Sequence, residues 1–144
     1  MPPDHPDSNE RMAREALLSR VPVPESQINP LRSLGVPLPE SFDLVLLGVG
    51  PDGHTASLYP GHEDELAHPG PLVYVPVPGL EPPRPRITFS LEYLNAQPLV
   101  AFIVGGADKR EILARMLAGD ESLPAARVRA KETVVLADEP AAPN

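Results

Sequence analysis

Between residues 48 and 57 the chain places an acid, a base and two hydroxyls in a glycine-spaced loop: Asp52, His54, Thr55 and Ser57 among Gly48, Gly50 and Gly53. An imidazole ordinarily titrates near ~6.5, so a histidine held here can take a proton from water at neutral pH. Asp52, two residues earlier, can hold the other ring nitrogen and select the tautomer. It can equally close an Asx-turn within Pro51-Asp52-Gly53. Thr55 and Ser57 can donate to bound oxygens or serve the start of a helix, and His54 itself can cap a helix beginning near Thr55. The glycines Gly50 and Gly53 allow tight turns and close approach of a ligand to the backbone.

These groups need a rigid support. The run Leu44-Val45-Leu46-Leu47, closed by Gly48, predicts a strand buried on both faces. A loop leaving the carboxyl end of such a strand is where open α/β sheets bind ligands. Further strands are expected at 72–77, 86–90, 99–104 and 132–136. Helices are expected at 9–20, 91–96 and 108–118, with Met12, Ala13, Ala16, Leu17 and Val21 as a buried stripe on the first. His62 to Gly70 reads as a polar loop, and Asp138 onward as a fraying end. Residues 22–41 carry Pro22, Pro24, Pro30, Pro37 and Pro39, which exclude a helix. Pro82, Pro83 and Pro85 stiffen a later connection. Alternating strands and helices predict an α/β fold with a mainly parallel sheet covered by helices. The expectation is a single domain, 1–144, made of a helix and Pro-rich connection (1–41) and a signature loop with its sheet (42–144).

The 144 residues carry a net charge of -8, which argues against nucleic acid or an anionic membrane surface as partner. There are no cysteines, so no disulfide or thiolate metal site forms, and a reducing, cytoplasmic setting is expected. His62 and His68 lack ligand spacing; both are expected to be solvated, and no metal or other cofactor is expected.

Gly48-x-Gly50-x-x-Gly53 also fits a dinucleotide-binding loop. That reading requires an acidic residue ending the next strand, and Leu72–Val77 has none. It also requires a smooth helix after Gly53, which Tyr59-Pro60-Gly61 interrupts.

The run Gly48-Val49-Gly50-Pro51-Asp52-Gly53-His54 resembles the signature shared by 6-phosphogluconolactonases and glucosamine-6-phosphate deaminases. Its continuation, Thr55-Ala56-Ser57-Leu58-Tyr59-Pro60, is similar to the lactonase branch. Three further segments carry the likeness. They are Pro2-Pro3-Asp4 to Asn9 with the following Met12–Leu18, Arg86-Ile87-Thr88-Phe89-Ser90, and Gly106-Ala107-Asp108-Lys109. The resemblance implies a three-layer α/β/α sandwich and hydrolysis of 6-phospho-D-glucono-1,5-lactone, with His54 as general base. It implies Lys109 as a phosphate or substrate ligand. Lysine is otherwise poorly placed at a helix start, and an anion would offset that cost; a solvated surface lysine is the other reading. Arg86 can reach the same anion or cap a sheet edge. Backbone N–H groups, such as those of Gly50 and Gly53, would help bind the phosphate. The family's earlier Ser-Gly-Gly phosphate loop and Asp-Glu-Arg triplet have no counterpart here; the chain begins inside the pattern. A shortened member with weak or no activity alone is therefore the alternative. An exposed sheet edge left by absent strands would favour pairing with another copy.

Overall fold

The structure, a computed structural model, describes residues 4–76 and 84–143. The expectations for Met1, Pro2 and Pro3, for the strand end at Val77, and for Pro82 and Pro83 fall outside these residues. The chain divides into two compact units, residues 1–32 and 33–144.

The first unit is built on helix α1, Asn9–Ala16. Ser8 caps it by accepting the Arg11 N–H at 3.3 Å. The helix ends earlier than expected, and a 3₁₀ turn follows at Leu18–Arg20. Ion pairs hold the unit: Arg14 bridges Glu10 at 3.0 Å and Glu25 at 2.6 Å, and Arg32 reaches Glu10 at 2.8 Å. The predicted burial of the apolar stripe is corrected. No residue of α1 is buried, and Met12 and Leu17 are more than half exposed. Eight residues held by charged side chains make no apolar core of their own.

The second unit contains a three-stranded parallel sheet. Its strands are β1 (Val45–Leu47), β4 (Leu99–Val104) and β5 (Glu132–Ala137), in the order β1-β4-β5. Leu47 lies opposite Phe102, and Phe102 opposite Val135. A separate antiparallel pair joins β2 (Leu72–Val75) and β3 (Arg86–Phe89). The five expected strands are present, within a few residues at their ends.

Side chains alternate across β4. Val100, Phe102 and Val104 point into a core shared with Leu91 and Leu94 of α3 (Leu91–Asn95) and Ile112, Leu113 and Met116 of α4 (Arg110–Leu117). Ser90 caps α3 by accepting the Tyr93 N–H at 3.0 Å. Gly119, at φ +78°, ends α4. Its N–H bonds Met116 O and the Asp120 N–H bonds Arg115 O, so the last carbonyls are satisfied. On the opposite sheet face Leu46, Ile103 and Leu136 are 55%, 56% and 55% exposed. Within residues 33–143, then, the sheet carries a helical layer on one face and open apolar side chains on the other.

Two further expectations are corrected. Residues 62–70 include a short helix, α2 (Glu63–Leu66), because Leu66 reaches the main core. The chain from Asp138 does not fray. Asp138 N–H donates to Val104 O, Ala141 N–H returns to the Asp138 carboxylate at 2.9 Å, and Ala141 is fully buried.

Buried Gln97 joins three segments. Its Oε1 accepts the Phe42 N–H at 2.8 Å, its Nε2 donates to Tyr93 O at 2.8 Å, and its carbonyl accepts the Lys131 N–H. It thereby sets the approach to β1 beside α3 and the approach to β5. Replacing Gln97 by Leu leaves a backbone donor and a carbonyl without that side chain. The variant should lose about 1–3 kcal/mol of unfolding free energy, read from its urea midpoint.

Candidate active site

β1 and β4 are adjacent and parallel, so the loops that follow them leave the same sheet edge, roughly one strand spacing (~4.8 Å) apart. The loop after β1 carries His54, and the loop after β4 carries Gly105, Gly106 and Lys109. β5 ends at that edge too. The Asp138 carboxylate accepts the Gly106 N–H at 3.0 and 3.1 Å. Asp138 therefore anchors the bend leading to Lys109, a role sequence reading missed because a polar residue after a last strand looks like an end.

The His54 loop is closed by its own hydrogen bonds. Gly50 N–H donates to His54 O at 2.8 Å, and Gly53 N–H to Gly50 O at 3.0 Å. Thr55 and Leu58 pair through both backbone bonds around Ala56, whose φ is +51°. No helix starts at Thr55; the next one begins at Glu63. This removes the helix-capping reading of His54. It also removes the helix N-terminus that a dinucleotide loop would use.

His54 Nδ1 lies 2.6 Å from Asp52 Oδ1, and the same oxygen accepts the His54 backbone N–H at 3.1 Å. Both readings of Asp52 therefore hold at once: it closes an Asx-turn and it pins the ring. The histidine side chain is 15% exposed, while that of Asp52 is 41% exposed. Burial pushes the Asp52 carboxyl up. The hydrogen bonds from the His54 ring and N–H oppose this and leave it below the usual carboxylate range. An ionised Asp52 takes the Nδ1 proton in a hydrogen bond, which leaves Nε2 as the basic nitrogen.

Gly50 is required by this packing. A methyl group there would lie 2.0 Å from His54 Nδ1 and 2.7 Å from Asp52 Oδ1. Gly53 sits at φ +85° against Leu123, and its carbonyl accepts the Ala125 N–H. Thr55 is fully buried and donates its hydroxyl to Gly48 O at 2.9 Å. The N–H groups of Gly50 and Gly53 and the N–H and hydroxyl of Thr55, expected to face substrate, are engaged inside the protein, where they shape the loop. Ser57 donates its N–H to Thr88 Oγ1 of β3 at 3.0 Å.

Arg86 opens β3, and its charge acts on Tyr59, as does that of Asp52. Its buried Nε has no hydrogen-bond partner. Lys109 ends a 3₁₀ turn before α4; its side chain is 20% exposed and its Nζ lies 4.0 Å from Asp108 Oδ2. His62 is only partly solvated: its side chain is 30% exposed, its ring packs beside Tyr59, centroids 5.9 Å apart, and its Nδ1 is 3.7 Å from Glu65. Among the described residues no cluster of three or more metal-ligating side chains occurs. No helix among them is long and apolar enough to cross a membrane.

Comparison with known proteins converges on one family. A model of the glucosamine-6-phosphate isomerases/6-phosphogluconolactonase family matches residues 1–136. A 6-phosphogluconolactonase of Synechocystis sp. is 35% identical, over 98% of this chain and 68% of that protein. The human 6-phosphogluconolactonase is 40% identical, over 90% of this chain and 57% of that protein. The crystal structure of a 6-phosphogluconolactonase from Thermotoga maritima superposes with a TM-score of 0.81 at 29% identity, covering 95% of this chain and 67% of that one. The chain thus spans roughly half to two thirds of the curated relatives it matches. A matched α/β fold and a histidine loop at its sheet edge make this chain a member of the glucosamine-6-phosphate isomerase/6-phosphogluconolactonase family.

Proposed function

We propose that the chain hydrolyses 6-phospho-D-glucono-1,5-lactone to 6-phospho-D-gluconate, the second step of the oxidative pentose phosphate pathway. The observation that carries this reading is the 2.6 Å contact between Asp52 and the sheltered His54 ring. The relatives named above are lactonases, and Thr55 to Pro60 follows the lactonase form of the loop. Nε2 of His54 takes a proton from water, and the water oxygen attacks the lactone carbonyl. The tetrahedral alkoxide collapses, the bond from C1 to the ring oxygen breaks, and the imidazolium returns the proton to that oxygen. Asp52 supports the imidazolium throughout. The scheme uses neither a metal nor a covalent intermediate.

Lys109 and Arg86 supply cations for the phosphate, and the Ser57 hydroxyl a further donor. What supports this is that Lys109 follows β4, the strand paired with the one that leads to His54, and that Arg86 has a buried nitrogen without a partner. The substrate is a charged sugar phosphate that does not cross membranes unaided, which supports a cytoplasmic setting. Both units, 1–32 and 33–144, belong to one catalytic domain in this reading, because the family match runs across them. A second copy of the chain would pair along the sheet edge at β1, beside exposed Leu46. Sedimentation across a concentration series tests this, and a monomer at every concentration would reject it.

Lactone hydrolysis by the purified chain should exceed the spontaneous rate, and His54→Asn should remove the excess. A folded chain with no excess rate would instead identify a shortened member inactive alone. Gly50→Ala should lower kcat by roughly 10²-fold, the effect of a ~1 Å displacement of a catalytic group. A wild-type rate in that variant would mean the ring position does not matter.

The Asp52 carboxyl is depressed in the fold, so its stabilising contribution is complete above its unfolded value of about 3.9 and is lost as pH falls through the folded value. Urea midpoints of Asp52→Asn should therefore fall less than wild type between pH 5 and pH 2. Parallel curves would show that Asp52 carries no such coupling.

A further inference from the structure

We infer that Tyr59 is a positioning residue for His54, and that the β2–β3 pair supports the imidazole through it. The two rings lie 4.7 Å apart between centroids, tilted by 34°. Together with the Asp52 carboxylate and the Gly50 backbone, Tyr59 bounds the imidazole. A ring held on one nitrogen by a single carboxylate can still swing about that bond. A packed aromatic face restricts the swing and, at this spacing, attracts the cation formed when the ring takes a proton.

Tyr59 is itself firmly held. It is 3% exposed and forms a separate buried cluster with Val73 and Val75 of β2. The preceding residues are tied to β3 by the Ser57 N–H bond to buried Thr88. The small antiparallel sheet adds no strand to the parallel sheet, and its buried valines face Tyr59. This gives the β2–β3 pair a role in the site: it sets the position of the aromatic face on which His54 rests. The charged and titratable groups around the pair are Asp52 on the same loop, Arg86 on β3, and His62, which packs against Tyr59 and is paired with Glu65.

The kinetic part of this inference rests on His54 being the general base; the spectroscopic part does not. Three variants separate the contributions. Tyr59→Phe keeps the ring and loses the hydroxyl, Tyr59→Leu loses the ring, and Val75→Ala loosens the backing while keeping the tyrosine. Long-range nitrogen–proton spectra of the His54 imidazole should show one tautomer, with the proton on Nδ1, in wild type and Tyr59→Phe. Tyr59→Leu and Val75→Ala should keep that tautomer, which Asp52 selects, but broaden the ring signals as the imidazole swings about the Asp52 bond. In lactone hydrolysis Tyr59→Phe should stay within about 2-fold of wild-type kcat, and Tyr59→Leu should lose roughly 10²-fold in kcat with little change in KM. If Tyr59→Leu does not fold, Val75→Ala and Tyr59→Phe carry the comparison. A wild-type imidazole spectrum in Tyr59→Leu or Val75→Ala, or equal damage in Tyr59→Phe and Tyr59→Leu, would overturn the inference. Should wild type itself show no hydrolysis, the lactonase reading fails, while the imidazole spectra still decide the role of Tyr59.

Discussion

One carboxylate oxygen, Asp52 Oδ1, accepts both the ring proton and the backbone N–H of His54. This shared acceptor fixes the turn and the imidazole together, so neither can move without the other. The demand propagates outward. The ring lies so close to the backbone that only glycine fits at position 50, and the loop turns under Leu123 only with glycine at 53. Thr55 closes the far side by bonding Gly48 O. The polar groups that look like ligand donors in the sequence are mostly the internal fastenings of this loop.

The parallel sheet determines what stands beside it. Because β1 and β4 run in the same direction with Leu47 opposite Phe102, the loop that carries His54 and the bend that leads to Lys109 start from neighbouring strand ends. Asp138, at the end of β5, ties down the Gly106 bend from the next strand along. The antiparallel pair approaches from elsewhere and contributes Arg86, Thr88 and the valines behind Tyr59. Phe42, Phe89 and Tyr93 pack edge-on and stacked at 5.4 to 6.1 Å, which joins this pair to the approach to β1.

The two faces of the parallel sheet are unequal. One side carries a close-packed core around Phe102; the other leaves Leu46, Ile103 and Leu136 open. Solved relatives superpose on nearly all of this chain while a third of each of them lies outside the match. The scaffold beneath His54 is thus fully packed on the side that supports the loop, and the apolar surface lies across the sheet from it.

The strands were legible from the residues alone, as β-branched and apolar runs closed by Gly, Pro or Asp, but their burial was not: the run at 44–47, expected to be buried on both faces, leaves Leu44 and Leu46 47% and 55% exposed. The pairing of His54 with Asp52 was legible too, because an imidazole beside a carboxylate among glycines is a local pattern. Local pattern could not say that Thr55 turns inward, that Gly50 and Gly53 have their donors engaged, or that the stripe of α1 stays exposed; each depends on what lies opposite in space. The same holds for Asp138, Gln97 and Tyr59, whose partners lie in distant parts of the sequence or across the turn. Residue type and local spacing suffice to say which side chains carry proton-transferring or charged groups and which segments become strands. Which of those groups turn inward follows only from the folded chain, because hydrogen-bond partners and packing surfaces are supplied by segments far away along it.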